Sequence, residues 1–228
     1  MSDAIVRRLH AIQERIALAC QRSGRPSQQV RLLAVSKGQP ALHVQAAVTA
    51  GQRAFGENRV MEAREKIAAL PEGLQWHLIG PLQRNKAKWA VTLFQMLHSV
   101  DSWPLAQALV AAGCRQSPLP ILMQVNIGRE PQKQGIPPEE AEDLARAIST
   151  LPGLALQGLM AIPPQTAHPE AARPYFRALA ALARHIEAQA IPGVRMDELS
   201  MGMSHDFEVA IEEGATWIRV GSALFDGP

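Results

Sequence analysis

The chain has 228 residues, of which 47% are hydrophobic, so it can bury one sizeable core, and we expect a single domain over residues 1–228. Its 23 lysines and arginines against 21 acidic residues leave a formal charge of +2. This balance argues against a dedicated nucleic-acid binder, because such proteins concentrate basic residues on one face.

Cysteine spacing and hydropathy exclude further classes of protein. Cys20 and Cys114 stand far apart and form no CxxC pair, which disfavours a disulfide framework or a metal site. No segment reaches membrane-spanning length, and no apolar run follows Arg7 and Arg8 near the start. We therefore expect an unexported, cytoplasmic protein that does not bind membranes.

The elements alternate along the chain. Residues 1–22 form a predicted amphipathic helix, with apolar residues at helical spacing before a Ser-Gly-Arg-Pro turn. Eight strand-like runs follow, separated mostly by helical patterns. They cover residues 30–36, 53–55, 75–79, 95–100, 119–125, 155–160, 197–200 and 216–220.

This alternation predicts an α/β fold, a (β/α)8 TIM barrel with an extra N-terminal helix packed on it. The competing architecture is an open doubly wound sheet. Against it, no Gly-x-Gly-x-x-Gly follows the first strand, and no acidic residue stands where a ribose would be held.

Lys37 follows the first predicted strand directly, before a Gly-Gln-Pro turn. Burial at a strand end disfavours the charged ammonium and favours a neutral, nucleophilic amine, so Lys37 is a candidate Schiff-base former. The alternative is a lysine that extends out of the sheet to water. The segment by itself favours that alternative.

The loops after the last two strands resemble a phosphate site. Gly202 and Ser204 follow the seventh strand, and Gly221 and Ser222 follow the eighth. Glycines allow close backbone approach to an anion, serine hydroxyls can donate to it, and barrels commonly bind phosphate here. We expect Ser204 to cap the helix that carries Phe207, Ala210 and Ile211. For either loop alone, an ordinary cap and turn is the simpler reading.

Arg219 lies inside the eighth predicted strand. The strand period places Ile218 and Val220 on one face and Arg219 on the other, so Arg219 should point into the barrel near its mouth. An inward arginine needs an acceptor, which can be a carboxylate in a buried salt bridge or a group on a ligand. Together with Lys37 and the two loops, it favours a phosphate-bearing carbonyl ligand.

Six motifs follow one another in order over nearly the whole chain. They are Leu33-Ala34-Val35-Ser36-Lys37, Phe55-Gly56-Glu57-Asn58, Trp76-His77-Leu78-Ile79-Gly80-Pro81-Leu82-Gln83 with Asn85-Lys86, Gly158-Leu159-Met160-Ala161-Ile162, Leu199-Ser200-Met201-Gly202-Met203-Ser204 and Ile218-Arg219-Val220-Gly221. Together they resemble the pyridoxal phosphate homeostasis protein family, whose members are similar to a free-standing alanine racemase barrel. The chain departs from the usual pattern at Gly38-Gln39, Arg59, His205 and Phe207, and His205 adds an ionisable group beside the phosphate loop.

The resemblance implies that the chain binds pyridoxal 5'-phosphate (PLP) as an aldimine on Lys37. Arg219 would meet the pyridine nitrogen, and Asn58 would line the pocket beside the ring. The phosphate would be held by Ser204, Gly221 and Ser222. His77 would have a packing role only, and no metal is implied.

The same resemblance implies a PLP carrier without robust turnover, with no catalytic residue assigned, that releases PLP to apo-enzymes. Arg219 cannot supply a proton to the ring, and the racemases take a tyrosine from a second domain, whereas the sole tyrosine here is Tyr175 and the chain ends just after the eighth strand. Without that domain, we expect a monomer. The alternative is a PLP-dependent racemase or lyase with one-base chemistry through Lys37; a cofactor-free Schiff-base aldolase is weaker.

Overall fold

The computed structural model describes residues 2–113 and 117–226, so Cys114 lies outside the described residues. Eight parallel strands close into a barrel in sequence order, β1 pairing with β8, which confirms the predicted (β/α)8 architecture. The strands are β1 Arg31–Val35, β2 Ala54–Glu57, β3 Gln75–Leu78, β4 Met96–Val100, β5 Leu119–Gln124, β6 Leu154–Met160, β7 Glu198–Met203 and β8 Trp217–Val220.

Helices surround the barrel and shield its outer face. The helices are α1 Ser2–Ser23, α2 Ala41–Thr49, α3 Val60–Ala68, α4 Ala87–Leu93, α5 Trp103–Ala111, α6 Ala141–Ser149, α7 Arg173–Ala188, α8 Phe207–Glu212 and α9 Ser222–Phe225. Seven of them, α2 to α8, lie in the connections between consecutive strands, as expected for crossovers between parallel strands.

The predicted N-terminal helix is confirmed as α1, which packs against α2, α8 and α9. Its buried face is the apolar stripe read from the sequence, from Ile5 to Ala19. Two ion pairs fasten its polar side to α8: Arg15 Nε lies 2.8 Å from a carboxylate oxygen of Glu208, and Arg22 Nε lies 2.8 Å from Glu212. The helix therefore belongs to the same packed unit as the barrel.

Strand alternation sorts side chains between the two faces of the barrel. Ile218 and Val220 join the large apolar cluster between strands and helices, whereas Trp217 belongs to a separate small cluster with Leu33 and Ala54 inside the barrel. A second interior cluster joins Met96, Leu122 and Met160. The period-two reading of β8 is thus confirmed, and Arg219 lies on the interior face.

Within residues 2–113 and 117–226, no helix combines the length and the apolar character needed to cross a membrane. The same residues contain no group of three or more histidine, cysteine or acidic side chains that could hold a metal ion.

Candidate functional site

A cavity of about 390 Å³ opens at the carboxyl ends of the strands, where barrels place their ligands. All six residues singled out from the sequence line it: Lys37, Asn58, Ser204, Arg219, Gly221 and Ser222. They come from four different strand ends, so only closure of the barrel brings them together. The other lining residues are Val35, Gln39, Ile79, Ile162, Met203, His205 and Asp226.

Lys37 continues the interior face of β1. Leu33 and Val35 point into the barrel, and Lys37, two residues further on, lines the cavity above them. Its side chain is exposed, which is the alternative that the segment by itself favoured. The strand ends at Val35, and the Gly-Gln-Pro turn lifts the amine to the open mouth of the cavity.

A buried ionic cluster lies behind Lys37, on the outer face of the sheet. Glu57 Oε1 accepts hydrogen bonds of 2.6 Å from Ser36 Oγ and from Lys66 Nζ, and Lys66 Nζ also donates to Ser36 O at 2.6 Å. Glu57 is fully buried and Lys66 is 6% exposed. Burial raises the pKa of Glu57, and the hydrogen bonds from Lys66 and Ser36 oppose the rise.

The same cluster reaches past Lys37 to the following turn. Glu62 Oε1 accepts the Gly38 N–H at 2.6 Å and lies 3.2 Å from Lys66 Nζ. These hydrogen bonds lower the pKa of Glu62 against the opposing effect of burial. The backbone is therefore tied down on both sides of Lys37, which limits where its amine can go.

Ser204 does not cap α8, and that prediction is wrong. Asp206 occupies the position before the helix, and its Oδ1 accepts the Met203 N–H at 2.7 Å. Ser204 Oγ instead turns to the loop after β8, where it accepts the N–H groups of Gly221 and Ala223 at 3.3 Å each. The two candidate phosphate loops are thus joined through this hydroxyl.

Arg219 is 4% exposed and points inward, as predicted. Its Nη1 donates to Ser200 Oγ at 2.8 Å and its Nη2 to Ala161 O at 2.9 Å. Among the described residues no carboxylate lies within 4 Å of its nitrogens, so the alternative of a buried salt bridge is wrong. Burial lowers the pKa of Arg219 to about 10, with the charge of Asp206 acting in the opposite direction.

Asn58 follows β2 and lines the same cavity as Arg219 and Lys37. Its Oδ1 is buried and has no hydrogen-bond partner within the described part of the chain. A buried acceptor without a donor costs free energy, typically about 1–3 kcal/mol. A ligand that carries a donor at this point would remove that cost.

The sequence reasoning missed several residues at the site. Asp206 is 4% exposed, and burial raises its pKa while the Met203 N–H, Arg219 and His205 lower it. His205, noted as a departure from the family pattern, lines the cavity with an exposed side chain. His98 was not considered and Ser200, although part of a quoted motif, was given no role; polar residues at interior strand positions were a signal that could have found both.

Residues 8–227 match the family model of the alanine racemase N-terminal domain, so the chain is a barrel of that class. The chain belongs to the pyridoxal phosphate homeostasis protein family. It is 45% identical over 227 residues to the protein of that name from Pseudomonas aeruginosa, covering 98% of this chain and 95% of the relative. It is 41% identical over 220 residues to that from Aquifex aeolicus, covering 96% of each.

The chain is also similar to a relative whose structure has been solved. PipY of Synechococcus elongatus, whose structure was determined with PLP bound, is 42% identical and superposes with a TM-score of 0.79. The alignment covers 94% of this chain and 99% of PipY.

Proposed function

We propose that this protein binds PLP, holds it through Lys37 and releases it, and so serves PLP homeostasis without robust turnover. The observation that carries the proposal is that Lys37, Arg219 and the loop pair joined by Ser204 line one cavity of about 390 Å³. The names of the relatives and the PLP bound to PipY support the same function.

The residues fit the parts of PLP. Bound PLP supplies an aldehyde, a pyridine ring that can take up electrons and a phosphate. Lys37 offers the primary amine for the aldehyde, Arg219 offers guanidinium N–H groups to the ring nitrogen, and Asn58 offers its unpartnered Oδ1 beside the ring. Ser204 and Ser222 offer hydroxyl donors to the phosphate, and Gly221, whose N–H donates to Ser204 Oγ, lets the backbone come close to it.

Two features of this chain support the absence of robust turnover. The pKa of Arg219, about 10, is still well above neutral pH, so Arg219 keeps its proton and offers the ring nitrogen a hydrogen bond only. Tyr175 lies in the first turn of α7 and is not among the residues that line the cavity, so it is not placed to act as the opposite base.

Borohydride reduction tests the covalent proposal. We expect PLP-treated protein to be yellow, and reduction to convert the linkage to a stable secondary amine on Lys37, found by mass spectrometry of peptides. The Lys37→Arg variant should keep its charge and fold but lose the covalent label. Lys88→Arg, which changes an exposed lysine on α4, should label like the wild type.

The opposite results would be clear. Colourless protein after PLP treatment, with an unmodified Lys37 peptide, would contradict the function. Label on Lys88 or another lysine, retained in Lys37→Arg, would contradict the assignment of Lys37.

Deuterium exchange separates a carrier from an enzyme. When L-amino acids are incubated with PLP-loaded protein in deuterated water, their Cα hydrogen should exchange no faster than with free PLP at the same concentration. NMR or mass spectrometry of the amino acids measures this directly. Exchange well above that control, lost in Lys37→Arg, would favour a one-base racemase or lyase instead.

We further propose that the protein acts as a cytoplasmic monomer that passes PLP to apo-enzymes. The exposed side chain of Lys37 supports release, because solvent and incoming amines can reach the linkage. Sedimentation of the loaded protein tests the monomer, and activation of a PLP-free enzyme by the loaded protein, compared with an equal concentration of free PLP, tests the transfer.

A further inference from the structure

The interior of the barrel contains a chain of hydrogen bonds that begins at Arg219. We propose that Ser200, His98 and His77 are positioning residues which hold the guanidinium of Arg219 at the floor of the cavity, facing the ligand ring. This inference rests on the proposed function, because it concerns how Arg219 is held toward bound PLP.

This hydrogen-bond chain crosses the interior of the barrel from β8 to β3. Arg219 Nη1 lies 2.8 Å from Ser200 Oγ, Ser200 Oγ lies 2.8 Å from His98 Nδ1, and His98 Nε2 lies 3.0 Å from His77 Nδ1. His98 and Ser200 are fully buried, and His77 is 3% exposed. Barrel interiors are usually filled with branched apolar side chains, so four linked polar groups there are a departure that needs a reason.

The direction of these hydrogen bonds follows from Arg219. A guanidinium only donates, so Ser200 Oγ must accept from it. The described residues offer the Ser200 hydroxyl hydrogen one acceptor, His98 Nδ1, and leaving that hydrogen buried and unpaired would be costly. His98 therefore carries its hydrogen on Nε2 and donates to His77 Nδ1, so that each member orients the next.

The hydrogen-bond chain requires that the imidazoles of His77 and His98 are neutral, and their environment keeps them so. Burial, together with the charge of Arg31, lowers the pKa of His77 to about 3. Burial also lowers the pKa of His98 well below its usual value, and the charges of Arg219 and Arg31 act in the same direction. A protonated His98 would have no lone pair for the Ser200 hydroxyl, and Ser200 would no longer be directed toward Arg219.

The arrangement leaves the charge of Arg219 available. Its two acceptors, Ser200 Oγ and Ala161 O, are both neutral. A carboxylate partner would also fix the guanidinium but would cancel much of its field. Two neutral acceptors fix its plane while its positive charge still acts on the cavity that it lines.

The packing of Trp217 against the two histidines supports a fixed geometry of the hydrogen-bond chain. The Trp217 ring lies edge-on to His77, with ring centroids 4.7 Å apart, and 6.2 Å from His98. Trp217 in turn packs with Leu33 and Ala54 in the lower interior. The Trp217 ring thus packs edge-on against the imidazoles, which are also held by their hydrogen bonds.

The test combines PLP titration with nitrogen NMR of labelled histidine. Ser200→Ala and His98→Leu should each weaken PLP binding by about tenfold, the effect of losing roughly 1.4 kcal/mol. His98→Asn, which can keep an acceptor near the Nδ1 position, should recover much of the affinity. Ser99→Ala is the matched control: Ser99 is buried beside His98 but donates to Gly80 O at 2.6 Å, and this variant should bind PLP like the wild type.

The NMR spectrum gives a readout that needs no PLP. It should show His98 and His77 as neutral tautomers with the hydrogen on Nε2, unchanged across neutral pH. A charged His98, or one with its hydrogen on Nδ1, would overturn the chain. So would wild-type PLP affinity in folded Ser200→Ala and His98→Leu. If the wild type fails to bind PLP while the tautomers are as expected, the proposed function fails but the buried chain stands.

Discussion

Replacing Lys66 by methionine is expected to lower the free energy of unfolding by about 3–5 kcal/mol at neutral pH. Lys66 Nζ lies 2.6 Å from Glu57 Oε1, and Glu57 is fully buried with its Oε2 unpartnered in the described part of the chain. Methionine has nearly the same length but no charge, so the loss of stability measures the cost of burying the Glu57 carboxylate without its cation. Urea unfolding followed by circular dichroism measures it.

The loss should depend on pH with a definite sign. Burial already raises the pKa of Glu57, and removing Lys66 removes two interactions that lower it. A carboxyl whose pKa is raised in the folded state contributes most stability below its unfolded pKa and loses it as the pH rises through the folded pKa. The Lys66→Met variant should therefore approach wild-type stability in acid and fall away toward neutral pH.

Two variants control this result. Lys66→Met combined with Glu57→Gln should recover much of the stability, because no buried charge remains and the glutamine can still accept from Ser36. Lys88→Met, at an exposed position on α4, should change the free energy of unfolding by less than about 0.5 kcal/mol. A loss in Lys66→Met that is small, or the same at every pH, would contradict the assignment of a buried ion pair.

Gly158→Ala is expected to cost more than about 3 kcal/mol, above the usual range for overpacking. A Cβ at this position would lie 1.8 Å from the Glu198 carbonyl oxygen and 2.6 Å from its carbon, both backbone atoms of the paired strand β7. Strands β6 and β7 would have to separate. The yield of soluble protein and the urea midpoint measure the effect.

The site would move with the strands. The Ala161 carbonyl, three residues beyond Gly158, accepts from Arg219 Nη2, so any folded Gly158→Ala protein should also bind PLP more weakly. Gly153→Ala is the control: Gly153 has φ +85 but no atom within 4 Å of the added carbon. It should cost about 1–2 kcal/mol from the backbone conformation alone and leave PLP binding intact. Equal effects of the two substitutions would refute the close-approach argument.

Much of the site followed from local pattern. The alternation of strands and helices predicted the barrel, and the two-residue period of β8 placed Arg219 inside it. The position of Lys37 at the end of the first strand placed it at the carboxyl rim, where the cavity opens. These inferences succeed because strand periodicity and parallel pairing act over a few residues and repeat around the barrel.

The errors have a common origin. Ser204 was expected to cap the helix next to it in sequence, but Asp206 holds that position and Ser204 contacts the loop after β8. The idea of Lys37 as a buried, neutral amine had the same origin, since it came from the buried strand before it, although the segment by itself favoured the exposed lysine that the structure shows. Each time the nearest neighbours in sequence were taken as the environment.

The sequence by itself determined the order of the elements, the face on which each strand residue lies and the family to which the chain belongs. Only the tertiary structure decided which side chains meet: His98 and Ser200 are separated by 102 positions yet lie 2.8 Å apart. The ion pair of Glu57 and Lys66 and the link from Ser204 to Gly221 likewise depend on packing between elements. The physical reason is that periodicity fixes the direction of a side chain, whereas its partner is fixed by closure of the barrel and by the need to satisfy buried polar groups.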